Sequence, residues 1–144
     1  MKKFNSKKLI CFILCALLVA ATALCTAGCG QKNLDPVDIS TEEVTIVGKG
    51  QTAFNFVVID QKGETKAFEV HTDEKTVGKA LLNVELIAGE DSEYGLYVKT
   101  VNGITLDYNT DGKYWAFYVN GEYATAGVES IDIDSDTTYT FKAE

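Results

Sequence analysis

Two Asn-Gly pairs, Asn102-Gly103 and Asn120-Gly121, most restrict what this chain can fold into. A two-residue turn whose twist matches its flanking strands needs positive φ at both central positions, and Asn followed by Gly tolerates this best. Each pair lies between runs rich in β-branched and aromatic residues: 96–101 and 104–108 around the first, 114–119 and 122–124 around the second. The pattern predicts two successive hairpins. A further hairpin is expected upstream, where 54–60 and 64–71 flank the turn residues Asp60-Gln61-Lys62-Gly63. Between these strand-rich regions the period changes. Val77, Ala80, Leu81 and Val84 fall at i, i+3, i+4 and i+7, one face of a helix, with Thr76 as its N-cap. Gly89 with Glu90, Asp91 and Glu93 reads as a loop, and 138–142 as a closing strand. The expected class is α+β: one helix across a small, mostly antiparallel sheet, in a β-grasp-like order.

The N-terminus has a different grammar. Residues 1–8 hold Lys2, Lys3, Lys7 and Lys8 and no acid, and an apolar run follows over 9–24. A basic start, an apolar stretch and then small residues is the pattern of a secretory signal. Its 16 residues fall short of the roughly 20 that span a bilayer comfortably. The alternative is an uncleaved anchor. Thr26-Ala27-Gly28-Cys29 resembles the lipobox of bacterial lipoproteins, although Thr26 stands where an aliphatic residue is commoner. The resemblance implies removal of residues 1–28 as a signal peptide. Cys29 would then carry a lipid that holds the chain on the extracytoplasmic face of the cell membrane. Cys11, Cys15 and Cys25 would leave with the leader, so the processed chain would have no free thiol for disulfides or catalysis.

Processing would also sharpen the charge. The chain carries −8 overall; without residues 1–28 it keeps nine basic residues against 21 acidic ones, a net −12. There is no arginine. Nucleic acid is therefore an unsuitable partner, because phosphate binding needs clustered basic side chains. From Gly30 to Glu43 the sequence is polar and acidic and contains Pro36. We read 29–43 as the lipidated N-terminus and a tether, and 44–144 as the folded domain.

Within that domain several stretches are familiar: Tyr97 followed by Val-Lys-Thr-Val-Asn-Gly103, Tyr114-Trp115, Tyr118-Val119-Asn120-Gly121, Ala126-Gly127-Val128 and Thr138-Tyr139-Thr140-Phe141. Together they resemble the transcobalamin-like C-terminal domain, over roughly 54–142. In animal cobalamin carriers that module closes over cobalamin together with a large helical domain. The resemblance thus implies a corrinoid as candidate ligand. This chain brings no helical partner domain, so the implication is one of fold before function.

The residues themselves favour binding over catalysis. His71 stands alone, and no serine sits in a nucleophile frame. Aromatic residues, in contrast, crowd the second half. Alternation puts Trp115, Phe117 and Val119 on one face of their strand and Tyr114, Ala116 and Tyr118 on the other. If the helix covers the first face, Tyr118, with Tyr123 and Tyr97, should form a ligand-binding surface. The alternative is that both faces are covered. Asp107, Asn109 and Asp111 before Gly112 match the first half of a calcium loop and are candidate Ca²⁺ ligands, although Tyr118 replaces its final glutamate. Asp132, Asp134 and Asp136 read as a solvated turn. The expectation is a membrane-anchored, non-enzymatic binding module for a small molecule. A surface module that contacts a protein or glycan is the alternative.

Overall fold

The computed structural model describes residues 32–144 apart from Pro36. The expected signal peptide and Cys29 lie outside the described residues. Strands β1 (Val44–Gly48), β2 (Thr52–Ile59) and β3 (Thr65–Thr72) precede helix α1 (Val77–Asn83). Then come β4 (Ile87–Ser92), β5 (Gly95–Val101), β6 (Ile104–Thr105), a one-turn helix α2 (Tyr108–Asp111), β7 (Trp115–Val119), β8 (Glu122–Tyr123) and β9 (Thr138–Ala143). Short 3-10 turns occupy Ile39–Thr41 and Val128–Ser130. None of these helices is long and apolar enough to cross a membrane.

Six strands form one sheet in the order β1-β3-β2-β9-β7-β8, and β4-β5-β6 form a second. At the centre, β2 runs parallel to β9, with Phe56 beside Tyr139 and Val58 beside Phe141. Antiparallel partners flank this pair, β3 beside β2 and β7 beside β9. A parallel central pair, reached through a hairpin and a helix, is the β-grasp-like arrangement the element order suggested. Among the described residues five of the seven strand pairings are antiparallel. The α+β class is as expected.

Both Asn-Gly turns form. Asn102 and Gly103 have φ of 48° and 76°, and Asn120 and Gly121 have φ of 49° and 81°, the signs a tight hairpin requires. Helix α1 buries Val77, Gly78, Ala80 and Leu81. It joins one apolar cluster with Phe54, Phe56, Val70, Trp115 and Phe141 among others. Each fully buried side chain of this size contributes about 1.5–3 kcal/mol, which outweighs the weak propensity of a seven-residue helix. The helix ends where Leu86 N–H reaches Leu81 O (3.0 Å), Glu85 N–H reaches Leu82 O (3.0 Å) and Glu85 takes φ 56°. Thr76 sits at the N-cap position, but its hydroxyl makes no cap bond; Val77 N–H instead donates to Ile131 O (2.9 Å).

Three features depart from expectation. The acidic loop at Gly89 is strand β4, paired with β5 through a register shift between Ala88 and Gly89. All its residues after Ile87 are exposed, so no apolar alternation marked it. Strand β1, also largely exposed, pairs with β3 alone. Third, the expected tether is docked along part of its length. Asn33 bridges Glu122, Leu34 N–H donates to Gly121 O (2.7 Å), and Lys32 Nζ lies 2.9 Å from Glu144 Oε2.

Candidate binding site

A pocket of about 220 Å³ opens between β5 of the small sheet and the β7–β8 end of the large one. Leu96 and Tyr97 supply one wall, Trp115 and Phe117 another, and Ala126 and Gly127 the third. Tyr114 and Tyr123 also reach it. The walls are held by contacts distant in sequence. Gly78 brings α1 against the turn at Val128–Ser130, where an added Cβ would lie 2.8 Å from Glu129 Cα. The Glu129 carboxylate in turn accepts from Leu96 N–H (2.9 Å), which ties that turn to β5. Trp115 Nε1–H donates to Ile104 O (3.2 Å), fixing the indole. Phe117 stacks on Phe141 with ring centroids 4.9 Å apart.

Two of the three tyrosines expected at a ligand surface do line this pocket, and both are partly open: Tyr97 and Tyr123 are each 42% exposed. Tyr118 requires a correction. It is 1% exposed and cannot stack on a ligand. The other face of β7 is covered too: Ala116, Tyr118, Thr140 and Val57 are all buried. Tyr118 packs edge-on against Tyr123 (5.3 Å), and its hydroxyl donates to Glu144 Oε1 (2.7 Å). Its role is to support Tyr123. Conversely, Trp115 and Phe117, assigned from sequence to the core alone, also wall the pocket. The small residues Ala126 and Gly127, facing an aromatic strand, were the available signal for that opening.

Under the tyrosines lies one shared carboxylate. Glu144 accepts from Tyr118, Lys142 (3.2 Å) and Lys32 (2.9 Å). Burial alone would raise its pKa, but the bonds from Tyr118, Lys32 and Lys142 prevail and bring it to about 2. Burial first, and then the Glu144 carboxylate, push the Tyr118 phenol well above its ordinary range. Burial and a hydrogen bond with Tyr114 raise that of Tyr123. The Tyr118 and Tyr123 phenols therefore stay neutral at physiological pH. The pocket offers apolar walls and hydroxyl tips, the chemistry of binding a flat ligand. His71 lies on β3, paired with Glu69 (Nε2 to Oε1, 2.6 Å), and takes no part.

The candidate Ca²⁺ ligands Asp107, Asn109 and Asp111 lie in the one-turn helix α2 and its N-cap. Asp107 is the N-cap of α2: its Oδ1 accepts from Asn109 N–H (2.9 Å), while its own N–H donates to Asp111 Oδ2 (2.8 Å). Lys99 Nζ sits 3.2 Å from Asp107 Oδ2. The Asn109 hydrogen bond and then Lys99 hold the Asp107 carboxyl below its usual range. In this arrangement Asp107 caps the helix, and Lys99 pairs with the same carboxylate. Among the described residues no group of three or more His, Cys, Asp or Glu is placed to hold a metal.

Comparison with known proteins follows the same geometry. Residues 74–144 match the family model of a domain of unknown function, DUF4430. No curated protein matches the chain. One similar solved structure is a protein of Ruminococcus gnavus ATCC 29149 provisionally described as metal binding. It is 24% identical, with a TM-score of 0.61 over 65% of this chain and 97% of that one. Another is haptocorrin in complex with Cbi, 19% identical, with a TM-score of 0.50 over 68% of this chain and 26% of that one. The chain thus spans about a quarter of haptocorrin's length. At these identities the likeness is one of fold, and it agrees with the transcobalamin-like architecture expected from sequence.

Proposed function

We propose that this chain is a non-enzymatic binding domain, displayed on the extracytoplasmic face of a membrane by a lipid on Cys29, that takes a small molecule into the pocket between β5 and β7–β8. The observation that carries the reading is the pocket itself: Tyr97 and Tyr123 at its mouth over Trp115 and Phe117, with neutral phenols at Tyr123 and beneath it. A corrinoid is the favoured ligand on likeness of fold alone. At about 220 Å³ the pocket falls below the roughly 300–1,000 Å³ of sites that enclose a drug-sized ligand. It suits an edge or substituent of a corrinoid, the remainder staying exposed or covered by a second molecule. The exposed Tyr94 (87%), Tyr97 and Tyr108 favour a second reading, contact with a protein or glycan surface.

Thermal unfolding with and without cobinamide tests the first reading. A ligand at 100 times its dissociation constant stabilises the native state by about 2.7 kcal/mol, and Tyr97→Ala should reduce the shift. An unchanged melting curve at millimolar corrinoid would refute it and leave the surface reading to a glycan array. The anchor is tested separately: Cys29→Ser should abolish incorporation of labelled fatty acid.

A further inference from the structure

We infer that the end of the large sheet carrying Lys32, Lys142, Tyr114 and Tyr108 is a phospholipid-facing surface, so that the domain rests on the bilayer in one orientation instead of swinging on a tether. The inference rests on the lipid anchor proposed above.

Its first support is chain length. Between Cys29 and Lys32 stand only Gly30 and Gln31, and three extended residue steps reach at most about 10 Å. Lys32 is not free to drift from the domain: its ammonium is on Glu144 at 2.9 Å, and the next residues pair with β8 through Asn33 and Leu34. A lipid on Cys29 would therefore hold this end of the sheet near the headgroups, which form a layer only about 5–8 Å deep on each side of the hydrocarbon.

The second support is the chemistry of the surface. Tyr114 pairs through its backbone with Glu144 in both directions (2.9 and 3.0 Å), and its ring meets that of Tyr108 at 6.4 Å. Tyr108 is 61% exposed. Lys113 precedes Tyr114, and Lys142 lies 3.2 Å from Glu144. Three of the nine lysines after Cys29 thus gather here, in a chain otherwise dominated by acids. Of the acids at this end, Glu144 is held by two lysines and Tyr118, and Asp111 by the Asp107 N–H, while Asp35 and Glu122 beside the docked segment are exposed. Tyrosine rings beside a lysine suit the membrane–water interface, where the ring sits among headgroups and an ammonium such as that of Lys113 meets lipid phosphate. Strand β1, at the far lateral edge, lies three strand spacings from β9 and four from β7, about 14–19 Å, and carries the exposed Ile46.

The test uses the full chain, lipidated in the producing cell and reconstituted in vesicles of phosphatidylcholine and phosphatidylglycerol in equal parts. Once the leader is removed, an introduced cysteine is the only free thiol, so Tyr108→Cys and Ile46→Cys each carry one fluorophore. With spin-labelled lipid in the vesicles, the label at Tyr108 should be quenched about fivefold more strongly than that at Ile46, which sits on the lateral edge away from the anchor. Lys113→Cys gives a second reporter at the near end should Tyr108→Cys alter folding. Equal quenching at both edges in protein that floats with the vesicles overturns the surface and leaves the anchor standing. Protein that takes up no lipid and does not float overturns the anchor and this surface together.

Discussion

The Tyr118 hydroxyl donates to Glu144 Oε1 at 2.7 Å, joining the next-to-last residue of β7 to the residue paired beyond β9. The ring above it is buried, so the bond links packing and charge at one point. Tyr118→Phe removes the donor and should cost about 1–3 kcal/mol. Tyr118→Ala should cost about 3–5 kcal/mol, close to the cost of Trp115→Ala, because both empty a filled core position. Calorimetric melting of the variants checks this. A Tyr118→Ala protein as stable as wild type would mean that the ring is not buried in solution.

Acid should loosen the same cluster. The Glu144 carboxyl is held at about 2, below its ordinary 4.5. A group with a depressed folded-state pKa contributes stability that is complete above the unfolded value and is lost as pH falls through the folded one. Urea midpoints should therefore fall between pH about 4.5 and about 2. Glu144→Gln should be less stable at neutral pH and should show a shallower fall over that window. Parallel curves for the two proteins would contradict the assignment.

Asp107→Ala should destabilise by about 0.5–2 kcal/mol, the usual cost of losing an N-cap. Millimolar calcium should leave the melting temperature of the wild type unchanged, because Asn109 N–H, Lys99 and Asp107 N–H already hold the Asp107 and Asp111 carboxylates. A calcium-dependent rise abolished by Asp111→Ala would show that the turn opens to take an ion.

Gly121 is where the N-terminal segment is fastened. Its φ is 81°, and an added Cβ would lie 2.9 Å from Leu34 O. Gly121→Ala should cost about 1–2 kcal/mol from the left-handed conformation alone. It should also speed exchange of the Leu34 amide, which donates to Gly121 O. Hydrogen exchange read by NMR distinguishes this from general destabilisation. If the Leu34 amide exchanges at the wild-type rate in the variant, the segment is not held at this turn.

Local interactions made much of this fold legible in the sequence. Asn102-Gly103 and Asn120-Gly121 set their own backbone signs, and Val77, Ala80, Leu81 and Val84 declare a helical face by spacing alone. The 60–63 turn is likewise written in adjacent residues. The partial exposure of Tyr97 and Tyr123 could be anticipated, because their strands offer a tyrosine a polar side. What depended on partners far along the chain was not readable. The second face of β7 had to be covered before Tyr118 could be buried, and the period of β7 carries no sign of that. Asp107 and Asp111 have the same sequence whether they cap a helix or ring an ion. Only the fold shows the capping bonds and the approach of Lys99, eight residues upstream on β5, to Asp107. Strand β4 shows no alternation because only its backbone is used, and the docking of Lys32 onto Glu144 closes a separation of 112 residues. Sequence periodicity reports which side of an element avoids water; only the assembled sheets determine how many sides must do so.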